Sequence, residues 1–175
     1  MNRLFIATFL NESEKDLLAS LLGSSKSFIS SDKWHLTWMF LGDCKKELEP
    51  EILQILEETA TNCKSQKITY DKFSIWPSSN RPRVGVLESS APPSEFVASV
   101  EQMQKKLAPL LTSPGEQHGH FKPHITIARF KNQSIDQTQF NTESLPLIQN
   151  VSEVALVMSD FKSYKVIEKF SLRQE

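Results

Sequence analysis

Short, dense apolar runs alternate along the chain with stretches of helical periodicity. Leu4–Leu10 is apolar and rich in Phe and Ile, which suits a buried strand. Asn11 followed by Glu14 marks a helix start, because Asn caps the first turn and Glu reaches back to it. Leu17, Leu18, Leu21 and Leu22 then form one helical face, and Gly23 ends it. Ser24–Asp32 is a polar, serine-rich loop, and Trp34–Leu41 is a second strand. Pro50 sits where helices begin, ahead of Ile52, Leu53, Leu56, Ala60 and Cys63 at helical spacing. Ile68–Trp76 and Arg83–Leu87 are two strand-like runs, separated by a loop from Pro77 to Pro82. Ser94 caps a third helix with Val97, Val100, Met103, Leu107 and Leu110 or Leu111 on its apolar face, broken by Ser113–Gly119. His124–Phe130, Val154–Met158 and Val166–Leu172 are strands, the last two paired as a hairpin.

This order predicts an α+β fold with largely antiparallel sheet. The 175 residues hold no flexible linker and read as one domain. Twenty basic against twenty-one acidic residues give a net charge of −1, which excludes a broad basic surface for long duplexes but not a small anion site. Cys44 and Cys63 are too few for a disulfide scaffold and read as reduced thiols, pointing to the cytoplasm. No run has the length of a membrane span. Arg3 with Leu4–Leu10 resembles a signal peptide, but the charged stretch Asn11–Asp16 stands where a small-residue cleavage site belongs.

The chemistry lies in a short repeat. Residues 35–40 read His-Leu-Thr-Trp-Met-Phe and residues 124–129 read His-Ile-Thr-Ile-Ala-Arg. On a strand, residues i and i+2 share a face, so His35 with Thr37, and His124 with Thr126, point away from the core-facing Leu36, Trp38, Ile125 and Ile127. One His-x-Thr triplet occurs easily by chance; two, in a chain with four histidines, do not. If the two strands lie side by side, two imidazoles and two hydroxyls converge on one small anion. That set suits metal-free phosphodiester cleavage. An ordinary histidine titrates near pH 6.5, so one imidazole takes a proton from water while the other gives one to the leaving oxygen. The hydroxyls donate to phosphate oxygens.

At these residues the chain resembles the 2H phosphoesterases, and among them the bacterial and archaeal RNA 2′,3′-cyclic phosphodiesterases, also called 2′-5′ RNA ligases. Arg3–Ala7 resembles that family's opening strand, His35–Gly42 its first motif, Arg81–Val84 its middle hairpin and Phe121–Arg129 its second motif. The resemblance implies a two-lobed, pseudo-twofold (LigT-like) fold around a central cleft. It implies that His35 is the proton donor and His124 the acceptor, opening a 2′,3′-cyclic phosphate at an RNA 3′ end to a 2′-phosphate. Some family members also join 2′-5′ linkages in vitro. No cofactor, metal or obligate protein partner is implied. Trp38 and Met39 depart from the smaller aliphatic residues usual there.

Arg129 lies five residues after His124, which under simple alternation places it on the opposite face. It reaches the phosphate, which a guanidinium suits and the family pattern favours, if the strand twists or bulges there; the alternative is a surface salt bridge. His118, His120 and His124 form a string that suggests a metal site, though no further ligand completes it. Lys122 and Arg81 or Arg83 are candidates for positive charge at the cleft rim. Trp34, Phe40, Phe121 and Trp76 are candidates for base stacking, with core packing the expected role of each. The competing functions are a phosphodiesterase for other small nucleotides, such as oligoadenylate or ADP-ribose cyclic phosphate, and a nucleotide-binding module without turnover.

Overall fold

The apolar runs and helical periodicities become nine strands and three helices in the computed structural model, which describes residues 2–22, 27–112, 120–131, 143–160 and 162–174. The helices are α1 (Glu12–Leu21), α2 (Glu49–Asn62) and α3 (Ser94–Leu107). The strands are β1 (Asn2–Phe9), β2 (His35–Cys44), β3 (Gln66–Tyr70), β4 (Lys72–Ser78), β5 (Arg81–Glu88), β6 (His124–Arg129), β7 (Leu147–Val151), β8 (Glu153–Ser159) and β9 (Tyr164–Ser171). Seven of them form one antiparallel sheet in the order β4-β5-β6-β2-β1-β8-β9, while β3 pairs with β7.

That order has an internal symmetry. β2 and β6 are neighbours at the centre, flanked by β1 and β5, which are flanked in turn by β8 and β4. Each half runs strand, helix, His-x-Thr strand: β1-α1-β2 and β5-α3-β6. The expected α+β, antiparallel, pseudo-twofold architecture is therefore present, and both histidine strands lie on its axis.

One face of the central strands is packed. Leu36, Trp38, Ile125 and Ile127 are buried together with Ile52 and Leu56 of α2 and with Phe96, Val100 and Met103 of α3. Trp38 and Phe96 meet edge to face at 5.0 Å. The two-stranded sheet is tied in by a buried chain in which the Tyr70 hydroxyl donates to Gln149 and the Gln149 amide donates to the Thr8 carbonyl. The opposite face carries Phe5, Ala7, Ala155 and Val157, with Phe9 and Tyr164 against them.

Several sequence expectations change. Ile68–Trp76 is two strands, not one: the chain breaks at Asp71, β3 pairing with β7 and β4 with β5. β7 was not legible as a separate strand. The α1 capping box forms as expected, but Leu17 is exposed. Glu14 takes its place inward, because one carboxylate serves both the Asn11 amide and the Asn150 amide on β7. In α3, Phe96 rather than Val97 faces the core, and Ser94 lies within the first turn instead of capping it. Gly23, Ser24–Lys26 and Ser113–Gly119 lie outside the described residues.

Candidate active site

β2 and β6 run antiparallel with Leu36 opposite Ile125. Both of those side chains are fully buried, so His35, Thr37, His124 and Thr126 project together from the other face. The register also sets each histidine beside the threonine of the other strand. The four expected site residues thus come from the two central strands onto one half-buried patch.

Each imidazole is fixed in the same way. His35 Nδ1 donates to the Lys33 carbonyl at 2.6 Å, and His124 Nδ1 donates to the Lys122 carbonyl at 2.8 Å. With the proton held on Nδ1, each Nε2 is left for the cleft, as an acceptor when the ring is neutral and a donor when it is charged. The sequence signal for this was available, since the repeat extends upstream to Lys-x-His-x-Thr in both copies. The threonine hydroxyls have no hydrogen-bond partner among the described residues.

The walls around the rings differ. Phe5, Phe9 and Tyr164 surround His35 at centroid distances of 5.1, 5.4 and 5.5 Å. Their apolar burial pushes His35 down to about 4, and the charges of His124 and Arg129 push the same way. His124 meets Trp76 at 4.5 Å. Burial also lowers its pKa, but Glu88, its register partner on β5, opposes the shift.

Arg129 reaches the same face by a bulge. On β5, Val86 pairs with Thr126 and the next residue, Gly85, pairs with Ala128, so Ile127 is an extra residue on β6. The extra residue shifts the alternation by one. Ile127 and Ala128 are both buried and Arg129 emerges on the side of His124. The same device operates on β2. Ala7 pairs with Thr37 and Ile6 with Met39, so Trp38 is extra, and Phe40 emerges on the side of His35. Phe40 is 60% exposed, so its expected core role is corrected: the bulge turns it out while Met39 and Leu41 stay buried.

The Trp38 bulge is held from behind. Its carbonyl accepts from the Gln104 side chain of α3 at 2.8 Å, and its indole N–H donates to the Thr8 hydroxyl at 3.0 Å, which donates to the Glu153 carbonyl. From the sequence Gln104 falls in the mixed-charge helical face Gln102–Lys106, which reads as solvated surface, so its contact with Trp38 corrects that expectation, and Glu88 is not singled out; nothing local to either marks a contact made across the sheet.

Of the other candidates, Trp34 is buried and Phe121 packs against the core. Arg83 and Trp76 line a cavity of about 690 Å³ beside Arg129. Arg81 and Lys122 are exposed. Of the metal string, His120 meets Glu101, and His118 lies outside the described residues. Among the described residues no group of three or more His, Cys, Asp or Glu is placed to hold a metal, and no helix is long and apolar enough to cross a membrane.

Known proteins are similar to this chain in sequence and in architecture. Residues 10–86 match the family model described as LigT like Phosphoesterase, a span that holds the first histidine motif. The chain is similar to the RNA 2′,3′-cyclic phosphodiesterase of Thermus thermophilus, at 30% identity over 99% of this chain and 91% of that protein. It is similar to the RNA 2′,3′-cyclic phosphodiesterase of Aquifex aeolicus, at 27% identity over 97% of each. A crystal structure of the Thermus thermophilus protein TT0787, at 27% identity, superimposes with a TM-score of 0.78 over 99% of both chains. The chain belongs to the LigT-like phosphoesterases of the 2H superfamily.

Proposed function

We propose that this protein is an RNA 2′,3′-cyclic phosphodiesterase that opens the cyclic phosphate at RNA 3′ ends, or on small nucleotides, to a 2′-phosphate. The observation that carries this is the matched orientation of two imidazoles, each with Nδ1 on a backbone carbonyl, on neighbouring central strands. The whole chain acts as a single unit of two lobes. Its two free, buried cysteines suit a reducing compartment, and we place it in the cytoplasm.

In the reaction, water adds to phosphorus as the bond from phosphorus to the ribose 3′ oxygen breaks. His124 Nε2 takes the proton from water. His35 Nε2–H gives its proton to the departing 3′ oxygen, leaving a 3′-hydroxyl and a 2′-phosphate. Each transfer typically contributes roughly 10²–10⁴-fold. Thr37 and Thr126 donate to the non-bridging oxygens, and Arg129 draws the phosphate toward the histidines. The phosphate also offsets the push of the Arg129 charge on His35, so substrate binding itself favours the protonated donor.

A second reading exchanges the roles. Glu88 beside His124 favours the proton there, while Arg129 and the aromatic wall disfavour it on His35. A substrate with a nitrophenyl leaving group needs no proton from the donor. It rescues His35→Ala under the first reading and His124→Ala under the second. The function itself is tested by incubating the protein with a nucleoside 2′,3′-cyclic phosphate and identifying the product isomer. A 2′-phosphate supports it; no turnover, or a 3′-phosphate, contradicts it.

A further inference from the structure

His35 and His124 are matched in strand, register and hydrogen bond, yet the residue that faces each from the outer neighbouring strand differs. On β1, Phe9 pairs with His35; on β5, Glu88 pairs with His124. We propose that Glu88 is a positioning residue for the reaction: acting through His124, it sets that imidazole apart from its counterpart, so that the proton the pair shares is held there. The inference rests on the proposed function and holds under either assignment of donor and acceptor.

The two positions are equivalent in the fold. β1-α1-β2 and β5-α3-β6 follow the same order, and each strand pair carries the same bulge, after Thr37 in one and after Thr126 in the other. On the histidine side of the bulge, Ala7 faces Thr37 and Phe9 faces His35, while Val86 faces Thr126 and Glu88 faces His124. Directly paired residues of antiparallel strands place their side chains on one face, with Cβ atoms about 4.5–5.5 Å apart. Phe9 fulfils this, its ring centroid lying 5.4 Å from that of His35. Glu88 stands in the same relation to His124, and its side chain is only 16% exposed.

A row of charge crosses three strands here. Lys72 on β4 pairs with Glu88, its exposed ammonium 3.8 Å from the carboxylate, and Glu88 in turn pairs with His124. The other groups about His124 are Trp76 of β4 against its ring, His35 of β2 and Arg129 of its own strand; Lys122 offers its carbonyl to Nδ1 and keeps its side chain exposed. Among the described residues, Glu88 is the one acid whose charge acts on the His124 ring. No acid acts on His35, which is enclosed by Phe5, Phe9 and Tyr164 and feels the charges of His124 and Arg129.

The consequence is a division of labour between two side chains of one chemistry. A carboxylate in a half-buried cleft favours the cation beside it, and an aromatic wall disfavours one. Glu88 thus strengthens His124 as a base and stabilises the imidazolium that forms when Nε2 takes the proton of water. His35, walled by rings, is the stronger acid once charged and releases its proton more readily to the 3′ oxygen. Glu88 itself takes no proton and acts through its charge alone, because Nδ1 of His124 already donates to the Lys122 carbonyl. With the roles exchanged, the same field holds the proton on His124 before it is given.

The test is an NMR titration of both imidazoles in the free protein, with the pH profile of kcat/KM for a nucleoside 2′,3′-cyclic phosphate beside it. In the wild type His124 should titrate above His35. Glu88→Gln, which keeps the shape and removes the charge, should lower the His124 midpoint by about one pH unit, a tenfold loss of proton affinity, and His35 by less than about a third of that. The basic limb of kcat/KM should move down with His124 while the acidic limb stays. Glu88→Asp should restore most of the shift, and Lys72→Met, which frees the carboxylate of its cation, should raise His124 by about a few tenths of a unit. A His124 midpoint unmoved by Glu88→Gln, an equal shift at His35, or a fall in Lys72→Met would overturn the assignment. The titration needs no turnover: midpoints that move as described in a protein inert on every cyclic phosphate would overturn the proposed function alone.

Discussion

Arg129 on β6 and Phe40 on β2 occupy one structural position in two halves of the fold, each delivered to the cleft by a single bulged residue, Ile127 or Trp38. A strand that alternated strictly would hide both.

Arg129→Gln should therefore lower kcat/KM by about ten- to a hundredfold, the worth of a charge-assisted hydrogen bond to phosphate. Arg129→Lys should recover only part, because an ammonium lacks the planar fork. Kinetics with a nucleoside 2′,3′-cyclic phosphate decide the matter; full activity in Arg129→Gln would place the guanidinium outside the reaction.

Thr37→Ala and Thr126→Ala should each cost about ten- to a hundredfold in kcat/KM while leaving the melting temperature close to that of the wild type. Both hydroxyls are half-buried at the cleft and lack protein partners among the described residues, so folding does not depend on them. A melting temperature depressed enough to account for the lost activity would mark them as structural.

Much of this site was legible in sequence, because its key signal is local. His-x-Thr on a strand puts both side chains on one face, and two copies call for two strands. What could not be read was how the strands meet. The pairing of Leu36 with Ile125, the place of Glu88 beside His124 and the reach of Gln104 to Trp38 all join segments far apart in the chain. The bulges are equally invisible in composition, since Trp38 and Ile127 look like ordinary core residues and only the partner strand shows them to be extra. The division of Ile68–Trp76 failed for the same reason: both halves are apolar, and only their different partners separate them.

Gln104→Leu should slow catalysis from outside the cleft. It leaves the Trp38 carbonyl, immediately after Thr37, without its donor at a partly buried site. The expected cost is about 1–3 kcal/mol of stability together with a fall in kcat. Gln104→Glu at low pH, where a protonated carboxyl can donate, should restore part of kcat. Equilibrium unfolding and steady-state kinetics on the same preparations test this; an unchanged kcat would free the bulge from dependence on α3.

The pH dependence should be displaced toward acid in the free enzyme. Burial lowers both imidazoles, His35 to about 4, so the singly protonated pair prevails below the ordinary histidine value of 6.5. kcat/KM should fall at low pH as both rings become charged, and fall again as the pH rises through neutrality and the last proton is lost. A bound phosphate favours the charged forms, so both limbs of kcat should lie at higher pH than those of kcat/KM. Profiles between about pH 4 and 9 measure this. A basic limb of kcat/KM well above neutrality would contradict the burial argument.

The central claim is that two histidines, without metal, perform the reaction. Its most direct test is the turnover of an RNA oligonucleotide ending in a 2′,3′-cyclic phosphate by wild-type, His35→Ala and His124→Ala proteins, each in excess EDTA. The wild type should convert it undiminished to the 2′-phosphate, and each variant should lose about 10²–10⁴-fold with the fold intact by circular dichroism. Activity abolished by the chelator and restored by a divalent metal, or wild-type turnover in either variant, would contradict it.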